Sequence, residues 1–196
     1  MKNFKRNILQ TVIGMACIVL PMSKIHAQSN DGKTHGSAVA GFGVSYTMPV
    51  EHGISGYGAT ANVGYAAYTK MLDTDANCCA MFLLDGGVSR FDTKINKYRY
   101  DINALFKLGI EYRRVAFMFT KGCALAFDGS GYGQVMDIHG VGLDVVVAPR
   151  TKMYVDCWYS NPSLDEKSPL SHAAVHQKWS VRTGLIFTLS HKKHQR

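Results

Sequence analysis

A serine and three histidines are the residues in this chain whose types could support catalysis. Ser171, His172 and His176 lie in one polar stretch, and His139 lies farther toward the N-terminus. A serine can act as a nucleophile when a histidine base lies within hydrogen-bond distance of its hydroxyl. The spacing of these four residues matches no catalytic motif, so we assign none of them a catalytic role.

The sequence contains equally little evidence for a metal site or a phosphate-binding site. His52, His172 and His176 could share a metal ion only if two separate loops met, and the ligand spacing typical of zinc sites is absent. The Gly-rich stretch Asp128–Gly133 is predicted to join two strands rather than to open a helix, which distinguishes it from a phosphate-binding loop. We therefore expect no metal, no cofactor and no enzymatic activity.

The composition favours an all-β fold. Of 196 residues, 46% are hydrophobic and 18% are charged, which excludes a disordered chain and suits one folded domain. The chain has 19 glycines and only three glutamates, Glu51, Glu111 and Glu166, whereas a helical bundle favours glutamate over glycine.

Both ends of the chain differ from its centre. Residues 1–27 have a basic start and a short apolar run, which are typical of a signal peptide, and residues 28–36 form a short polar segment. We expect the folded domain over residues 37–190 and a basic tail over residues 191–196. Without the signal peptide, 18 basic residues face 14 acidic ones, since Lys2, Lys5, Arg6 and Lys24 are removed from 22. This modest excess does not indicate a nucleic-acid partner.

Hydrophobic and polar residues alternate from about Ser37 onward, which predicts eight strands. In the clearest segment, Tyr98–Arg113, the even positions are apolar and the odd positions carry most of the charge. The other segments are Ala40–Thr47, Ala59–Tyr65, Cys79–Arg90, Val115–Ala126, Gly140–Val147, Met153–Ser160 and Lys178–Leu189. Lys121 interrupts the apolar phase of the fifth segment, which predicts a bulge nearby unless the phase of that segment is misassigned.

The predicted connections alternate in length. They are long at Met48–Gly56, Phe91–Lys97, Phe127–Val135 and Asn161–Gln177, intermediate at Leu72–Cys78, and short around Arg113–Arg114 and Pro149–Arg150. This pattern is typical of an antiparallel up-and-down barrel, with long loops at one end and tight turns at the other.

Alternation alone does not say which face of such a barrel points outward. Aromatic residues near both ends of the strands favour the membrane form, in which the polar face is enclosed. The polar face then supplies a nearly neutral interior network of nine residues: Asp85, Arg99, Asp101, Lys107, Glu111, Asp144, Asp156, Lys178 and Arg182. A soluble, lipocalin-like barrel that carries a ligand remains the alternative.

The last segment carries the most specific pattern. Arg182, Gly184, Phe187 and Leu189 resemble the terminal insertion signal of small outer-membrane barrels, and residues 37–190 resemble the eight-stranded OmpA and OmpX type. The resemblance implies an outer-membrane location, contact with membrane lipid and with the barrel-insertion machinery, and a structural or interaction role through extracellular loops toward an unknown partner. A lipid A-modifying barrel enzyme is the other alternative that this resemblance leaves open.

Overall fold

The computed structural model describes residues 35–49, 55–71, 74–91, 98–128, 133–162 and 178–189. The expected signal peptide and basic tail lie outside these residues and stay predictions. Eight strands form a compact unit that begins at His35. They are β1 His35–Pro49, β2 Gly56–Lys70, β3 Ala76–Phe91, β4 Tyr98–Tyr112, β5 Val115–Asp128, β6 Gly133–Ala148, β7 Thr151–Pro162 and β8 Lys178–Thr188.

The strands close into one antiparallel barrel in chain order, with β8 paired to β1. Closure leaves every strand with two neighbours, so no sheet edge is left with free backbone groups. The predicted eight-stranded up-and-down barrel is confirmed. No helix in the described residues is long and apolar enough to span a membrane.

The connections differ in part from the predicted pattern. Two-residue turns at Arg113–Arg114 and Pro149–Arg150 mark one end, which we call the turn end, together with the five-residue link 71–75. At the opposite end, the loop end, the links are 50–55, 92–97, 129–132 and 163–177. Only the last of these is long, because the strands extend farther than the alternation of side chains indicates.

The prediction of a bulge near Lys121 is wrong. β5 pairs in continuous register with both neighbours, with Lys121 opposite Phe106 of β4 and His139 of β6. The interruption in the sequence is therefore a charged side chain on the outward face of a regular strand. The register shifts between β6 and β7 instead, at Val146 and Ala148.

Outward positions of the strands carry the large apolar side chains. Phe42, Val44, Ile102 and Phe119 are all more than half exposed, whereas their neighbours along each strand point inward. Exposed aromatic residues gather near both ends of the barrel: Tyr46, Tyr57, Tyr98 and Trp179 at the loop end, and Tyr65, Tyr112 and Phe117 at the turn end. This surface excludes the soluble-carrier alternative, because an exposed apolar band of this extent needs lipid.

Candidate functional site

The inward face of the barrel brings together all nine residues of the predicted polar network. Seven of them are buried, and Asp101 and Glu111 are partly buried. Lys152, which the sequence reasoning did not include, also points inward. Among the described side chains of the strands, those that point inward and are at least partly buried comprise five acids and five bases, which suits an enclosed, poorly hydrated space.

Lys107 of β4 occupies the centre of this network. Its Nζ donates to Asp144 Oδ1 of β6 at 3.2 Å and to Asp156 Oδ1 of β7 at 3.0 Å. All three side chains are at least 96% buried, with side-chain exposures of 1%, 0% and 4%. One cation therefore links three strands across the interior.

A second group lies beside the first. Arg182 Nη2 of β8 donates to Asp85 Oδ2 of β3 at 2.7 Å, and Asn103 Nδ2 donates to Asp85 Oδ1 at 2.7 Å. The guanidinium of Arg182 also lies 3.9 Å from the ring centroid of Trp158, a cation–π contact. These bonds tie β8 to the opposite side of the barrel.

Separate ion pairs lie toward each end of the interior. Arg99 Nε donates to Asp101 Oδ1 at 2.6 Å near the loop end. Lys152 Nζ donates to Glu111 Oε2 near the turn end, and the ammonium group lies 4.5 Å from the centroid of the Tyr68 ring.

Lys178 departs from this pairing. Its side chain is fully buried, yet its Nζ has no hydrogen-bond partner and makes no ion pair with a described carboxylate. Its ammonium group lies 4.7 Å from the centroid of the Phe91 ring. At Lys107 the charges are unequal in the opposite sense, because one ammonium group is bonded to two carboxylates.

The interior is filled rather than open. Buried apolar side chains, among them Met81, Leu105, Met118 and Ile186, form a hydrophobic cluster in the same interior. Of the internal cavities lined by described residues, one of about 40 Å³ lies among Ser45, Arg99 and Trp158, and one of about 10 Å³ lies beside Lys107 and Tyr154. Spaces of this size hold at most a few water molecules.

The residues that resemble an insertion signal lie in and just after β8. Arg182 and Gly184 point inward, Phe187 points outward, and Leu189 donates its N–H to the carbonyl of Ala38 at 2.8 Å. Gly184 pairs with Gly43 of β1 and with Tyr154 of β7. A Cβ at Gly184 would lie 2.8 Å from the Tyr154 ring and 2.1 Å from the carbonyl oxygen of Phe42, so this position requires glycine.

Among the candidate catalytic residues, the structure describes only His139. It lies on the outward face of β6, where Lys121 Nζ approaches its Nε2 to 2.9 Å. His52, Ser171, His172 and His176 lie outside the described residues. Within the described part of the chain, no three His, Cys, Asp or Glu side chains are placed to bind a metal.

The cysteines of the barrel, Cys78, Cys79, Cys123 and Cys157, are free thiols. Cys79 points into the interior, whereas the other three occupy outward positions on three different strands. The barrel therefore closes through hydrogen bonds between strands and contains no disulfide among these residues.

A closed barrel with apolar side chains outside and a paired charge network inside is a transmembrane β-barrel of the small, outer-membrane type. The expected resemblance to eight-stranded OmpA- and OmpX-type barrels is confirmed for the fold by the number of strands, by the closure of the barrel, and by the apolar outward face with a polar inward face. The chain matches no protein-family model and no curated protein sequence.

The chain is similar to several solved structures at low sequence identity. Neisserial surface protein A is 11% identical, with a TM-score of 0.44, over 80% of this chain and 99% of that chain. The outer membrane protein Ail of Yersinia pestis is 11% identical, with a TM-score of 0.43, over 79% of this chain and 100% of its own. The outer membrane enzyme PagL is 12% identical, with a TM-score of 0.39, over 80% of this chain and 100% of its own.

Proposed function

We propose that this protein is an outer-membrane barrel with a structural or interaction role and no transport path. The observation that supports the proposal is the charge network at Lys107, Asp144 and Asp156, which crosses the interior between three strands. Opening a channel there would separate a buried cation from two buried carboxylates, which is energetically costly. Contacts with the outside would then be made by the loop end.

The link 163–177 is the segment best suited to carry such contacts. At fifteen residues it is more than twice the length of any other link between strands. Rigid barrels commonly present binding residues on their connecting loops, since loops tolerate changes in sequence that strands do not. The barrel-insertion machinery is a second proposed partner, which would act on β8 before closure.

Measurement of ion conductance tests whether the interior of the barrel is closed to ions. Purified protein in a planar bilayer is expected to give no stable conductance of the size typical of porins. The matched variant Lys107→Ala/Asp144→Ala/Asp156→Ala removes the central network without leaving an unpaired charge, and it is expected to conduct more than the wild type. A reproducible wide pore in the wild-type protein would contradict the proposal.

Surface labelling tests the orientation. An epitope inserted within 163–177 is expected to be accessible on intact cells, and an epitope placed after Arg196 is expected to be protected. The reverse result would place the long link on the inner side of the membrane and remove its proposed role.

The enzymatic alternative has a direct test of its own. Mass spectra of lipid A from cells with and without the protein are expected to be identical. A mass difference equal to one acyl chain would instead establish a lipid A-modifying activity, with Ser171, His172, His176 and His139 as the first residues to substitute.

A further inference from the structure

One region of the outer wall differs from the rest of the barrel surface. Across the described strands, four outward positions carry a charged or imidazole side chain: Arg90, Lys121, Asp137 and His139. Arg90 lies next to the loop end of β3. The other three lie together on the adjacent strands β5 and β6, and we call them the wall patch.

The strand register connects the members of the wall patch. Lys121 pairs directly with His139, and Asp137 is the next outward residue of β6 toward the loop end, opposite Cys123. Lys121 and His139 are exposed and Asp137 is half-buried. The Lys121 ammonium approaches His139 Nε2 to 2.9 Å, and because lysine has no acceptor, the histidine nitrogen must accept.

The wall patch extends deep into the membrane. His139, the partner of Lys121, also pairs with Tyr159 of β7, and Tyr159 pairs with Trp179 of β8. These paired residues form a row across the strands that ends at Trp179, among the exposed aromatic residues of the loop end. Strands in a closed barrel tilt by about 40° and lie about 4.8 Å apart, so the row descends about 3 Å per strand. Lys121 is three strands from Trp179 and therefore lies about 9 Å deeper, toward the middle of an apolar band about 25 Å tall.

A charged side chain at this depth needs a partner other than hydrocarbon. An anionic lipid headgroup would suit a purely basic patch, yet this patch contains a carboxylate and a lysine with a neutral imidazole between them. Its formal charge is zero and it carries both signs, so it is complementary to itself. A two-fold axis along the membrane normal, passing between β5 and β6, would place β5 of one copy against β6 of another.

We propose that the wall patch is the contact surface for a second copy of this chain within the membrane. In the dimer, Lys121 of each copy lies against β6 of the other and pairs with its Asp137. The flexible lysine stem spans the difference in depth between the two residues. Both charges are thereby removed from lipid, and the interior network is unaffected because it uses the opposite faces of these strands.

Charge exchange tests this contact. The protein is reconstituted in phosphatidylcholine vesicles at low protein-to-lipid ratio, and the number of copies per complex is counted by single-molecule photobleaching. The wild type is expected to be dimeric. Lys121→Asp and Asp137→Lys are each expected to weaken dimerisation at least tenfold, since each places like charges opposite one another. The double exchange is expected to restore the dimer.

Two further variants keep the test decisive. Arg90→Asp changes the remaining outward charge and is expected to leave the dimer intact. Lys121→Leu removes the charge, is expected to fold at least as well as the wild type, and is expected to be monomeric. Folding is checked separately by the shift in electrophoretic migration on heating.

A wild type that stays monomeric at every protein-to-lipid ratio would overturn the proposal, and so would dimerisation that Lys121→Asp, Asp137→Lys and Lys121→Leu all leave unchanged. A third outcome is a monomer whose melting temperature rises when one fifth of the vesicle lipid is phosphatidylglycerol, with the rise lost in Lys121→Leu. That result would assign the wall patch to an anionic lipid headgroup instead of a second copy. None of these outcomes alters the proposed role of the closed interior.

Discussion

Two buried lysines in the same barrel have opposite electrostatic surroundings. Lys107 is bonded to two carboxylates, whereas Lys178 lies against the Phe91 ring without a described carboxylate. Their side chains are equally buried. Comparing the stability of variants at the two positions therefore measures how much pairing with a carboxylate contributes to the free energy of unfolding. This contrast leads to a prediction at the scale of single residues.

Lys107→Met is expected to lower the free energy of unfolding by about 3–5 kcal/mol, because it leaves Asp144 and Asp156 buried without a cation. Lys178→Met is expected to change it by less than about 1 kcal/mol or to raise it, because it replaces an unpaired buried charge by an apolar chain of similar length. Reversible urea unfolding in lipid vesicles measures both values. Equal losses for the two variants would show that the ion pairs at Lys107 contribute nothing specific.

The residues of the interior network could be predicted from the sequence, but their pairing could not. Strict alternation places Asp85, Asp144 and Asp156 on one face, since side chains of a strand point alternately to its two sides. Which acid meets which base depends on how the barrel closes, since β4 and β7 are far apart in the sheet. Lys152 was missed because it stands next to a turn, where a charged residue is ordinarily solvent-exposed.

At the scale of elements, the two tight turns each contain a residue in the left-handed backbone region. Arg113 has a φ of 55° and Arg150 has a φ of 67°, and neither is glycine. This conformation costs a residue with a side chain about 1–2 kcal/mol relative to the right-handed form. Glycine adopts it freely.

Arg113→Gly is therefore expected to raise the free energy of unfolding by about 0.5–1 kcal/mol, with the gain limited by the greater freedom of glycine in the unfolded chain. Arg114 is the matched control in the same turn, because its φ is not positive. Arg114→Gly is expected to be destabilising by about 0.5–1 kcal/mol. The same urea titration distinguishes them, and a loss of stability in both would mean that the turn is not strained at Arg113.

The number and phase of the strands could be predicted from the sequence better than their lengths. The alternation identifies eight segments, yet β1, β2 and β6 extend beyond the predicted segments by several residues. At those ends glycine, alanine and polar residues pair in the sheet without an apolar pattern to mark them. Lys121 was misread for a related reason: a charge at an outward position was taken as an irregular backbone, whereas it is an unusual side chain on a regular strand.

At the scale of the whole molecule, the outward face contacts lipid and the inward face holds the charges. Phe106 and Lys107 are neighbours in β4 that point to opposite faces. Phe106→Arg is expected to destabilise the barrel by about 2–4 kcal/mol or to block its insertion, because the arginine would face hydrocarbon near the middle of the span. Folding yield into phosphatidylcholine vesicles measures the effect. Insertion equal to that of the wild type would contradict a lipid-facing position for Phe106.

The two tryptophans of the chain give the most direct test of whether the outward face contacts lipid and the inward face does not, because they lie on opposite faces of neighbouring strands. Trp158 points inward beneath Arg182 and is 5% exposed, and Trp179 points outward and is 45% exposed. Trp158→Phe leaves Trp179 as the single reporter, and Trp179→Phe leaves Trp158. In vesicles whose lipids carry bromine high on the acyl chains, the fluorescence of Trp179 is expected to be strongly quenched and that of Trp158 to be nearly unchanged. Equal quenching of both, or stronger quenching of Trp158, would contradict a barrel with lipid outside and charges within.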